Sequence, residues 1–126
     1  MDFAAGQIFS GNWDDDGTYR VAKVLAVDEH AVHVRVYKQR FRQPPTSIEP
    51  DDLTLGSIDD PDGFGVGHLP LSRDELALWG PSLITTARVD DEELEGYRMW
   101  AEDPDAGVFS PKPTLRDRVR GWLGRG

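Results

Sequence analysis

The sequence predicts an α+β domain: an N-terminal antiparallel, partly closed barrel-like sheet, two short helices packed on it, and a C-terminal amphipathic helix. Three observations carry this prediction. Runs of alternating β-branched and aromatic residues fill the first half, clusters of Asp, Gly and Pro interrupt them, and helix-start signals appear only from Ser72 onward. A chain of 126 residues has room for one core. Residues 1–110 are therefore read as a single domain, and residues 111–126 as a Pro-containing linker with a basic tail helix.

Residues 7–13 form the first strand candidate, and Asp16-Gly17 supplies a hairpin turn that tolerates positive φ. Residues 18–27 are apolar on both faces around Val21, Ala22, Val24 and Leu25, the pattern of a central strand. Asp28-Glu29-His30 turns the chain into residues 31–42, where Val32, Val34 and Val36 alternate with His33, Arg35 and Tyr37. Pro44-Pro45 ends that strand, and residues 52–56 are expected to add a fourth. Residues 59–67 read as an acidic, then glycine-rich loop in which Phe64 and Val66 plug the core, and residues 68–71 as packed coil.

Ser72-Arg73-Asp74-Glu75 is a capping box opening a short helix that Gly80-Pro81 stops. Residues 82–89 suit another strand. Asp90-Asp91-Glu92-Glu93 opens a second helix with carboxylates at its positive end, interrupted by Gly96. Residues 107–109 suit an edge strand. In the tail, Leu115, Val119, Trp122 and Leu123 share one helical stripe flanked by arginines, and the tail is expected to dock on the chain's own body or in a partner's groove.

Charge narrows the function. The net charge of −9 splits into −13 for residues 1–110 and +4 for residues 111–126. An acidic body opposes general binding to nucleic acid. The stretch His33, Arg35, Lys38, Arg40 and Arg42, with Tyr37 and Phe41 between, is the one surface that suits a polyanion, and pairing with the body's carboxylates explains it equally well. No specific nucleic acid is expected. The absence of cysteine excludes disulfides and thiolate chemistry. No apolar run approaches a membrane span and the acidic start lacks a signal peptide's basic flank, so a cytoplasmic protein is expected. Eleven arginines against three lysines suit a bacterial genome rich in G and C.

No nucleophile-base motif or metal spacing emerges. His30, His33 and His68 lie on separate elements, and Asn12-x-Asp14-x-Asp16-Gly17 reaches Lys23 where a calcium loop needs glutamate. Three aspartates precede the Gly63–Gly67 loop and no Lys-Ser or Lys-Thr pair follows it, which disfavours phosphate. His68 reads as a half-buried, satisfied histidine. The expectation is a non-enzymatic protein with no cofactor and no metal.

The stretch from Trp13 through Asp16-Gly17-x-Tyr19-Arg20-Val21-Ala22-Lys23-Val24-Leu25 to Val32-His33-Val34-Arg35-Val36-Tyr37 resembles the opening hairpins of Tudor and related small five-stranded barrels. The resemblance covers about a quarter of the chain. It implies an aromatic cage for a cationic or methylated side chain, with Trp13, Tyr19, Tyr37 and Phe41 as its counterparts here. By size, charge and layout the chain is also similar to immunity proteins of bacterial polymorphic-toxin systems, which implies one protein partner and no chemistry of its own. The leading expectation is thus a protein-binding module, immunity or regulatory, whose acidic surface at Asp59, Asp60, Asp62, Asp90, Asp91 and Glu92 meets a basic partner. The Tudor-like reader is the alternative.

Overall fold

The computed structural model describes residues 2–13, 16–57, 59–60 and 64–108. Strands β1 (Gln7–Gly11), β2 (Tyr19–Val27), β3 (Val32–Phe41), β4 (Val66–Leu71) and β5 (Ser82–Thr86) form one antiparallel sheet in the order β4-β3-β2-β1-β5. The strand read as central is the middle one, and its Val21, Ala22, Val24 and Leu25 are all buried. Gly17 adopts φ 84° in the β1–β2 turn, where positive φ selects glycine.

Both faces of the sheet are covered, and side-chain alternation divides them. Phe9, Ala22, Val24, Val32, Val34, Val36 and Leu71 point to the first face, where Leu76 and Trp79 complete the cluster. Their sequence neighbours Ile8, Val21 and Tyr37 point to the second, against Phe41, Ile48, Leu53, Leu55, Ile84 and Ala87.

Several expectations need correction. The sheet is open, not partly closed: β4 and β5 are its two edges. The segment joining them contains α1 (Arg73–Ala77), and with Leu76 and Trp79 committed to the first face, β5 goes to the far side of β1 instead of meeting β4. Residues 52–56 are not a strand. A 3-10 turn at Pro50–Asp52 precedes an extended segment held by single bonds, Lys38 N–H to the Thr54 carbonyl at 2.8 Å and Gly65 N–H to the Leu55 carbonyl at 2.7 Å. The fourth strand is instead β4, within the stretch read as loop and coil. It accommodates Pro70 because an edge strand needs ladder bonds on one side only. Gly65 passes so close to β3 that a Cβ there would overlap the Val36 carbonyl. Val66 packs on the core, but Phe64, expected to do so, is 51% exposed.

Helix starts follow the sequence more closely. Ser72 Oγ accepts the Glu75 N–H at 3.0 Å and caps α1. Ser72→Ala should therefore lower stability by about 1 kcal/mol, read from the midpoint of urea unfolding at unchanged slope. The second helix opens as a 3-10 turn at Asp91–Leu94, in which the Glu93 carboxylate accepts the Asp90 N–H at 3.0 Å, and continues as α2 (Glu95–Glu102). Gly107 and Val108 are not in a strand. Phe109 and the tail expected to dock through Trp122 and Leu123 lie outside the described residues. Among the described residues, no helix is long and apolar enough to cross a membrane.

Candidate functional site

An open cleft of about 900 Å³ lies on the second face, lined by Lys23, Arg35 and Tyr37 of the sheet, by Pro50, Asp51 and Leu53, and by Ala87, Arg88, Asp90, Glu92, Glu93 and Glu95. That volume suits a drug-sized ligand or a few residues of peptide. Its floor follows from strand register. Lys23 and Arg35 are cross-strand partners on β2 and β3, and both meet Glu93 from the 3-10 turn above them.

Lys23 is buried in the middle of a strand, which demands a counter-charge and hydrogen bonds. It receives both: Nζ lies 2.9 Å from Glu93 Oε1 and also donates to the Arg88 carbonyl. The second Glu93 oxygen faces Arg35 Nη1 at 4.0 Å. Burial would raise the Glu93 pKa, but the Asp90 N–H, Lys23 and Arg35 outweigh it and hold the carboxyl below its usual range. Tyr37 is pushed up to about 12 by burial and by Glu93, so its hydroxyl stays protonated.

The rim is different. Asp51, Glu92 and Glu95 line the cleft, and among the described residues none of them has an ion-pair partner, while Asp90 faces exposed Arg88 at 4.0 Å. Overall the lining holds five carboxylates against three cations.

Beside the cleft, β3 and β4 bring together two histidines that are far apart in sequence. His33 is fully buried, its Nε2 2.9 Å from Asp28 Oδ2 and its Nδ1 2.9 Å from His68 Nε2. A ring-centroid separation of 5.1 Å at 12° means that the imidazoles lie end to end in nearly one plane, joined by an in-plane hydrogen bond. The Asp28 carboxylate only accepts, so in neutral rings His33 donates from Nε2 and accepts at Nδ1, and His68 donates from Nε2.

Tyr97 and Trp100 of α2 each stand edge-on to His33 at 4.5 Å. Gly96 explains itself here, since a Cβ would sit 2.7 Å from His68 Cβ. The α2 helix thus docks on the sheet through the histidine pair. Burial, then the neighbouring His33, pushes His68 down to about 4. Asp28 is lowered as well, because bonds from His33 and from the His30 and Ala31 amides outweigh its burial.

Of the aromatic residues expected to form a cage, Trp13 is placed in a different cluster from Tyr37 and Phe41. Trp13 packs with the first-face cluster, against Trp79 at 5.6 Å, and the Arg20 guanidinium covers its ring at 5.1 Å. Tyr37 and Phe41 belong to the second face, and Tyr19 lies opposite Phe41 in the β2–β3 register. One cage from all four is therefore not formed.

The acidic residues also divide. Asp90 and Glu92 line the cleft, exposed Asp91 pairs with Arg98 at 3.0 Å, Asp60 pairs with Lys38 at 3.1 Å, Asp59 is exposed, and Asp62 lies outside the described residues. Sequence reasoning missed Lys23, Arg35, Asp51, Glu93 and Glu95 as members of one site. A lysine in the centre of a doubly apolar strand was the available signal, because such a residue requires a buried acid.

No protein-family model, no curated protein and no solved structure matches this chain.

Proposed function

We propose that the protein is a non-enzymatic binding module for a basic protein partner, acting through the acidic mouth of the second-face cleft; in its concrete form it is an immunity or regulatory protein of a bacterium. The carrying observation is the set of three carboxylates, Asp51, Glu92 and Glu95, that have no ion-pair partner among the described residues and surround one opening. Carboxylates left unpaired around a concave surface raise the local concentration of cations and speed their encounter. The histidine pair has a structural use: its hydrogen bonds join it to Asp28 and its rings pack under α2.

Association kinetics test the proposal. With an arginine-rich peptide as probe, the Asp51→Asn/Glu92→Gln/Glu95→Gln variant should associate several-fold more slowly than the parent at low salt. The two should converge as salt rises. Neutralising exposed Asp103 and Asp105, which do not line the cleft, should leave the rate unchanged. Equal slowing by both variants would reject the cleft in favour of diffuse net charge.

A further inference from the structure

The cleft contains a polar group that the fold itself does not use. Tyr37 is only 7% exposed, yet no hydrogen bond to its hydroxyl exists among the described residues. No fully enclosed side-chain nitrogen or oxygen among the described residues lacks a partner. The Tyr37 hydroxyl, which lacks one, must therefore reach open space, and the space that Tyr37 lines is this cleft. Burial and the Glu93 carboxylate keep it protonated, so it is a donor.

Its surroundings define what it would meet. The floor carries Lys23 and Arg35 against Glu93, a surplus of one positive charge, and this favours an oxygen acceptor over a cation. The rim carboxylates Asp51, Glu92 and Glu95 favour cations over anions. A ligand must therefore place an acceptor inward and positive charge outward. A basic peptide does both, with a backbone carbonyl at the floor and Lys or Arg side chains at the rim.

We propose that the cleft seats a short basic peptide segment of the partner, with the Tyr37 hydroxyl donating to a ligand backbone carbonyl and Asp51, Glu92 and Glu95 receiving its side chains. Pro50, Leu53 and Ala87 supply the apolar walls along which side-chain methylenes lie. The inference rests on the reading of the cleft as a basic-partner site and adds the ligand's backbone as the group recognised at its floor.

Calorimetry on the full chain with two probes separates the layers: an acetylated tetra-arginine amide, and spermine, which has four cationic centres and no carbonyl. Tyr37→Phe should weaken the peptide by about three- to tenfold, at low and high salt alike, and leave spermine unchanged. Glu92→Gln/Glu95→Gln should weaken both probes at low salt only. Leu53→Trp, which fills the cleft without altering charge, should weaken the peptide if Tyr37→Phe fails to fold. Peptide affinity indifferent to Tyr37→Phe but sensitive to the rim would overturn the carbonyl contact and leave the basic-partner reading standing. Indifference to both sets of variants would overturn both.

Discussion

Glu93→Ala is expected to remove about 3–5 kcal/mol of folding stability, as much as truncating a large core side chain. The side chains of Lys23 and Glu93 are only 6% and 12% exposed, so the substitution leaves an ammonium group with the Arg88 carbonyl as its one remaining partner. It also frees the Asp90 N–H that starts the 3-10 turn. Urea unfolding reads the loss. The paired replacement Lys23→Met/Glu93→Leu should recover most of it, because no buried charge then remains. A loss below about 1 kcal/mol for Glu93→Ala would show that Lys23 reaches water and that the pair is not structural.

Acid should loosen the docking of α2. His68 has a folded pKa near 4 against an ordinary value of 6.5, so the unfolded chain binds more protons between those limits. Stability is then complete above about pH 6.5 and is lost as pH falls towards 4, by about 1–2 kcal/mol once solvent screening of a partly exposed ring is allowed for. Asp28 and Glu93, both lowered, add their own losses below their ordinary values of 3.8 and 4.5. Protonation of His68 places a charge in a partly buried site beside His33 and beneath the rings of Tyr97 and Trp100. His68→Gln retains an N–H donor and does not titrate. Its stability between pH 6.5 and 4.5 should be flat where the parent's slopes, and a parent without that slope would refute the assignment.

The sequence exposed those parts of the fold that depend on local pattern. Val21, Ala22, Val24 and Leu25 identified the central strand, Ser72 and Asp90 the helix starts, and Gly17 the hairpin turn. It concealed what depends on pairing. The fourth strand was misplaced because Gly65, Gly67 and Pro70 weigh against a strand unless one knows that it lies at an edge. The cleft was half legible: Asp90, Glu92 and Tyr37 stood out as an acidic run and an aromatic, while Lys23 and Arg35 join them only through cross-strand register. The His33–His68 contact could not be read at all, since it requires β3 to lie against β4.

The sheet also imposes an order on its own assembly. A tight turn at Asp28 joins β2 to β3, whose ladder begins at Val27 opposite Val32, so this hairpin closes a short loop. By contrast β5 pairs only with β1, placing Gln7 opposite Thr86, and none of its residues is buried. Chain entropy opposes that closure most strongly and burial rewards it least. The sheet therefore has a fast, locally closed half and a late-arriving edge. In the folded molecule, amide hydrogen exchange is expected to reach β5 before the other strands.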